Sequence, residues 1–260
     1  MSGDIANQLK TRGAIFAALV AMILAPSAYA SGNNVTEEFH KTVALNSDGR
    51  VALENINGNV EVTGWDKNEV QIDAVKSARD QQRLDEAKIE VEGSGDKVRI
   101  RTRYAEGHTN DNPASVHYTV HVPTGANLDK ISLVNGSLEV SQVRGEFDAS
   151  LVNGKLKAQD LAGRAEISTV NGSSEVQYST LANVSEVKMS AVNGSIKLIL
   201  PASANADVSA SSVSGSIKSD FPITVESGFV GHHLKGKLGS GGTRIELSNV
   251  NGSTHISPGA

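Results

Sequence analysis

From Asn127 onward, hydrophobic and polar residues alternate in short runs, each opened by a glycine. Gly136, Gly145, Gly154, Gly163 and Gly172 stand nine residues apart. The second residue after the first four of them is Leu138, Phe147, Leu156 or Ala165, and the fourth is Val140, Ala149, Ala158 or Ile167. The seventh is Val143, Val152, Leu161 or Val170, with Glu139, Asp148, Lys157 and Glu166 between second and fourth. Alternation with period two predicts strands with one buried and one wet face. A glycine at fixed phase suits a tight corner needing positive φ. No helical period occurs in 127–260.

A second period lies over the first. Asn-Gly recurs at Asn57-Gly58, Asn135-Gly136, Asn153-Gly154, Asn171-Gly172, Asn193-Gly194 and Asn251-Gly252, and Ser214-Gly215 fills a seventh place. The intervening corners read Arg144-Gly145 and Ala162-Gly163, so Asn-Gly returns every eighteen residues where the spacing is regular. Two architectures fit. Each Asn-Gly could be a two-residue hairpin turn in an antiparallel meander. Alternatively, eighteen residues with two strands form one coil of a parallel β-solenoid, stacked at about 4.8 Å. The solenoid is favoured because stacked Asn side chains can hydrogen-bond as a ladder along the axis, whereas a meander gives no reason for alternate corners to differ. Its coil is expected to be right-handed. The later spacings of 22, 21 and 37 residues predict protruding loops, the longest including the glycine-rich 228–242, expected to lack regular structure. Pro123 and Pro201 head similar segments and mark equivalent places in two coils.

Residues 31–126 read as a β-rich N-terminal cap with one short helix, leaving 127–260 for the repeats. Within the cap, 51–62 already resembles a repeat strand pair. Strands are expected at 70–75, 89–92, 98–104 and 116–122, with a hairpin at Gly93-Ser94-Gly95, a helix over 80–88 and a polar loop over 105–114. Such a cap would cover the unpaired edge of the first coil.

The first thirty residues form a separate unit. Lys10 and Arg12 precede an uncharged apolar run, Gly13 to Ala25, followed by Pro26 and the small-x-small triplet Ala28-Tyr29-Ala30. This order is that of a secretory signal peptide with cleavage after Ala30, and the run is shorter than the roughly 20 residues a membrane helix requires. No later stretch is apolar enough to span a membrane as a helix. The mature chain is therefore expected in the periplasm, outside the cell or on its surface.

Composition narrows the chemistry. The formal charge of −5, or −6 after cleavage, carries no basic stripe of the kind nucleic acid would require. Zero cysteines exclude disulfides, thiolate metal sites and cysteine nucleophiles. Aromatics make up 4% of the chain, which leaves no broad stacking platform. His117 and His121 share a strand face but lie roughly 13 Å apart, too far to chelate one ion, and both are expected on an exposed face. His232 and His233 are adjacent, hence on opposite sides of a strand. Glu139, Lys157 and Glu175 share one phase, a column of mixed sign that suits cross-strand pairing rather than a cation cage. The segment 239–244 has glycines but neither the lysine nor the helix of a phosphate loop. The Asn-Gly-Ser triplets match a glycosylation sequon, yet Asn153-Gly-Lys serves the same phase, so they read as corners. No catalytic, cofactor or metal constellation is identified.

The signal peptide, the segment 51–66 ending in Gly64-Trp65-Asp66, the segment 121–128, the serial Val-Asn-Gly motifs and the close at 239–252 together resemble the DUF4097 family. These are bacterial exported β-strand-repeat proteins that carry the label "putative adhesin". The resemblance covers nearly the whole mature chain and implies a solenoid-like fold in the envelope or beyond it. It brings no catalytic residues. The expectation is thus an exported, non-enzymatic, adhesin-like binding or scaffold protein, contacting an envelope protein or surface ligand through its solenoid faces. Two alternatives stand beside it: a glycan-acting enzyme with its site in the loops 105–114 and 228–242, and a sensor component of envelope-stress signalling.

Overall fold

The computed structural model describes residues 30–31, 34–105, 113–223, 225–227 and 232–259. The expected signal peptide, except its last residue, and most of the expected 105–114 loop lie outside this set. Most of the described chain is β-strand, joined into one sheet that does not close into a barrel.

The repeat is a parallel solenoid. Phe147–Leu161 pairs in parallel with Ala165–Tyr178, which pairs in parallel with Glu186–Leu200. Asn153, Asn171 and Asn193 sit in the same register position. The antiparallel meander is therefore excluded. Within one coil the inward side changes parity at the corner: Phe147, Ala149 and Leu151 are buried before it, then Leu156, Ala158 and Leu161 after it, with Val152 and Asn153 both exposed between. The strand turns there, so both legs of every coil face one shared core. That core is aliphatic and takes in few aromatics, among them Phe147, Tyr118 and Tyr178.

Eight coils stack, and their order in space departs from their order in sequence at both ends. From one end they are 97–104 with Ser115–Pro123; 50–57 with Val60–Trp65; Asn127–Asn135 with Leu138–Ser141; Phe147–Leu161; Ala165–Tyr178; Glu186–Leu200; Thr243–Pro258; and Ala206–Ser219. The last coil of the sequence thus inserts between Glu186–Leu200 and Ala206–Ser219 rather than adding to the end. At the other end, 97–104 and Ser115–Pro123 lie outside 50–65. We number these coils 1 to 8 in spatial order.

Each end is closed by antiparallel strands. At one, Glu69–Ala78 runs antiparallel to Ser115–Pro123, and the first part of Asn34–Asn57 runs antiparallel to Glu69–Ala78. At the other, His232–Leu238 runs antiparallel to 206–212, with Val225–Ser227 beyond it. His232–Leu238 corrects the expectation that 228–242 lacks regular structure. Its two glycine-flanked ends bracket a strand held by pairing to Ala206–Ser212, an interaction that local composition does not register. Gly93 and Gly95 do have positive φ, and Arg101 reaches back to Glu90 and Glu92 at 3.8 and 3.3 Å, as the expected hairpin requires.

The short helix spans Gln81–Glu86, and the Asp80 side chain accepts from the Arg83 backbone N–H at 2.9 Å. Lys76, buried on the neighbouring strand, donates to the carbonyls of Leu84 and Ala87 and pairs with Glu37 at 3.0 Å. The Leu84 carbonyl also accepts from the Ala87 backbone N–H, and a cation at this end of a helix answers its last carbonyls.

Candidate binding surface

The Asn-Gly corners make one continuous ladder. Asn135 donates its amide to the Asn57 side-chain oxygen at 3.0 Å, Asn153 to Asn135 at 2.9 Å, and Asn171 to Asn153 at 3.0 Å. Asn193 donates to Asn171 at 3.1 Å and Asn251 to Asn193 at 3.0 Å, so the ladder runs straight through the inserted coil. Ser214 stands next to Asn251 in register and ends it. A serine there offers no amide to a further coil, a blunt end of the kind that protects open edges.

The glycines of this ladder and those of the opposite corners share the need for close backbone approach but differ in backbone conformation. Gly136, Gly154, Gly172, Gly194 and Gly252 have positive φ, as the repeat pattern predicts. Gly145, Gly163 and Gly215 do not, which corrects the reading of every corner glycine as a positive-φ residue. They are required by close approach: a Cβ on Gly163 would lie 2.0 Å from the carbonyl oxygen of Gly145, and one on Gly215 1.8 Å from that of Gly252.

Because backbones press so tightly at the opposite corners, the residues beside Gly145 and Gly163 project outward. They line a groove of about 950 Å³ formed by Gln142, Arg144, Glu146, Asp160, Arg164 and Thr180 among others. Gln142 and Asp160, eighteen residues apart, both adopt left-handed backbone with φ of 59° and 54°. A second hollow of about 540 Å³, sharing Ser179 and Thr180 with the first, continues toward Asn205 and Gly242. The lining is hydroxyl, amide and charged. The sequence reading took 144, 145 and 163 only as corners and did not foresee a groove. The signal was available: residues eighteen apart, such as Gln142 and Asp160, must fall side by side in a solenoid.

Charge along this edge is partly locked. Arg164 bonds Glu166 at 2.6 Å and Glu186 at 3.4 Å, and Lys188 bonds Glu166 at 3.1 Å. Lys188 and Arg164 hold the Glu166 carboxyl below its usual range, and Glu166 raises the Arg164 guanidinium. Asp148, in the next coil, is pushed up chiefly by burial and then by Glu166. Arg144, by contrast, is exposed and has no ion pair among the described residues. It is the cation this groove has free.

The expected site residues divide as follows. Glu139, Lys157 and Glu175 do share one outward column, and Lys197 of the next coil bonds Glu175 at 3.1 Å, the cross-strand pairing expected of mixed sign. His232 and His233 sit on one strand, as adjacent residues with opposite directions. His117 is exposed, but His121 is half-buried, with its ring 5.2 Å from that of Trp65, whose other neighbour is the Lys67 ammonium at 4.4 Å. The antiparallel end strand Glu69–Ala78 packs beside His121 and removes it from open solvent. Among the described residues no group of three or more His, Asp or Glu side chains could hold a metal ion. No helix among them is long and apolar enough to cross a membrane.

The chain belongs to the DUF4097 family, the Toastrack DUF4097 family, whose model matches residues 42–257. Its fold is similar to that of a "putative cell adhesion protein" from Clostridium sporogenes, with a TM-score of 0.54, 15% identity, and coverage of 86% of this chain and 100% of that one. It also matches a "putative adhesin" from Bacteroides fragilis (TM-score 0.39, 11% identity, 85% and 96% covered). A third match is a "putative lipid binding protein" from Parabacteroides distasonis (TM-score 0.33, 12% identity, 88% and 98% covered). No curated protein matches the sequence.

Proposed function

We propose that this is an exported, non-enzymatic binding protein of the bacterial envelope, adhesin-like, which holds a polar partner along the groove at its Arg144–Arg164 corners. The observation that carries this reading is the groove itself. Backbone packed too tightly for any Cβ makes a rigid floor, and that floor presents Gln142, Arg144, Asp160 and Thr180 at fixed spacing without an ordering cost. The naming of structural relatives as adhesion proteins agrees with it, and the leader-like first thirty residues supply the route out of the cell.

The glycan-acting enzyme is the weaker alternative. Two carboxylates, Glu146 and Asp160, do line the groove. Both are exposed, and cleavage of a glycosidic bond needs one carboxyl buried enough to stay protonated as the general acid.

Crosslinking of the full-length protein in intact cells, followed by recovery of its adducts, tests the proposal. Arg144→Glu should lose the adduct that the native chain captures, with an unchanged melting temperature. An unchanged adduct pattern would show that the groove is not the contact. Hydrolysis of purified envelope glycans by the protein would overturn the non-enzymatic reading.

A further inference from the structure

Eight large hydrophobic side chains are exposed among the described residues, and seven of them form a single column: Ile56 and the valine before each later corner, Val134, Val152, Val170, Val192, Val250 and Val213. They lie one per coil on coils 2 to 8, so the column is roughly 29 Å long at about 4.8 Å per coil. The end valine, Val213, is 59% exposed, whereas those with neighbours on both sides lie between 38 and 41%. Stacking therefore shelters each valine along the axis and leaves its outward side wet.

The columns on either side carry almost no charge. Two residues before each valine from coil 3 onward stands a serine: Ser132, Ser150, Ser168, Ser190, Ser248 and Ser211, all in register. On the other side runs the Asn ladder. The corner is thus a nearly neutral ridge with an aliphatic crest, interrupted by Glu54 in coil 2 and Lys155 in coil 4.

We propose that this ridge pairs weakly with the same ridge on a second copy of the chain, in antiparallel orientation. A ladder of the same rise is the object whose methyl groups repeat at the same interval, so that two crests can interdigitate along their length. Flanking charge sets the direction. A two-fold axis parallel to the ladder places one copy's first leg beside the other's second leg at equal coils, bringing Asp129 to Glu139, Glu166 to Glu175 and Lys188 to Lys197, three like-charge pairs against the favourable Asp148 with Lys157 and Glu246 with His255. An axis across the ladder, between Val152 and Val170, places second leg beside second leg with coils reversed. Glu139 then faces Lys197, Lys157 faces Glu175 and Glu61 faces His255, while on the first leg Asp129 faces Lys188 and only Asp148 with Glu166 is unfavourable. The crest covers roughly 300 Å² per copy, well short of the ~800 Å² typical of a stable complex, so the pairing is transient in solution and gains strength where copies are arrayed. It is independent of the groove, which lies at the opposite corners.

The absence of cysteine makes the test clean. Single variants Val152→Cys, Val170→Cys and Val134→Cys are made in the full chain, with Lys235→Cys on the end strand as a collision control. Mixed V152C and V170C chains should form disulfide dimers at least about tenfold faster than K235C, through the raised effective concentration of docked copies. V134C alone should stay near the control rate, since its counterpart lies across from Val192. Adding Val192→Lys to both partners should return the mixed pair to the control rate without changing the melting temperature. Equal rates for all variants would overturn the pairing, and fast self-linking of V134C would overturn its direction. Binding to phosphatidylcholine vesicles that Val170→Lys abolishes, with crosslinking at the control rate, would make the ridge a lipid face and the proposal wrong.

Discussion

Asn171 gives its amide to Asn153 at 3.0 Å and takes one from Asn193 at 3.1 Å. One side chain therefore ties three coils together, and its own two groups are both used. Replacing Asn171 with Ala removes both bonds and leaves the Asn153 oxygen and the Asn193 amide to water. The loss is about 1–2 kcal/mol because the ladder is exposed and water answers the freed groups. Asn171→Asp should cost more, since it trades the donated bond for a charge beside the Asn153 oxygen. Urea unfolding of the two variants measures both.

Gly172 has φ of +152°, and a Cβ there would lie 1.7 Å from the Gly154 carbonyl oxygen. Gly172→Ala must push two coils apart, so a loss of more than about 3 kcal/mol or failure to fold is expected. Gly95 is the control: φ is +73°, with open space around its would-be Cβ. Gly95→Ala should cost only about 1 kcal/mol, for the backbone alone. Thermal melting of both separates close approach from conformational preference.

Ser174 is 1% exposed, its hydroxyl without a partner among the described residues, between Leu156 and Ile196 in the adjacent coils. A buried hydroxyl without a partner is costly, and the neighbours show that the site takes a branched aliphatic group. Ser174→Val should stabilise the fold by about 1 kcal/mol and raise the melting temperature by about 2–4 °C. A lower melting temperature would mean the position is too tight for a second methyl.

His40 contacts Asp73 at 2.7 Å, and that hydrogen bond, helped by Glu38, raises the imidazole above its ordinary 6.5. The folded state therefore holds this proton more tightly than the unfolded one. Its contribution is complete below pH 6.5 and is lost as pH rises through the raised value. The melting-temperature difference between the native chain and His40→Gln should be positive at about pH 5.5 and shrink as pH rises through the raised value. Because the pair is exposed, the effect is small.

Much of this fold was legible because the solenoid writes its period into the sequence. Asn-Gly at 135, 153 and 171 fixed the corners, the eighteen-residue interval argued for stacking, and the buried sides of Leu138, Phe147 and Leu156 followed from alternation. The order of the coils was not legible. Asn193, Ser214 and Asn251 head nearly identical segments, so any of them could lie next to any other. What decides is the return of His232–Leu238 along 206–212, which leaves Thr243–Pro258 only the inner side. Alternation likewise failed at Val152 and Val170, which share a phase with the buried Val143 and Leu161 but stand at the Asn-Gly corner, where the parity of the strand changes. The groove at Arg144 escaped notice because it exists only between coils, among residues eighteen apart that the linear pattern shows as ordinary polar positions.

The final coil inserts between its two predecessors, and a pair of engineered disulfides tests that directly. Ser190 and Ser248 are register partners with outward side chains, whereas Ser190 and Ser211 are separated by the inserted coil. Ser190→Cys with Ser248→Cys should oxidise readily to an intramolecular bridge, and Ser190→Cys with Ser211→Cys should stay reduced, because two coil spacings exceed the reach of a disulfide. Bridging of the second pair and not the first would mean that the coils stack in sequence order, and the account of the C-terminal half would be wrong.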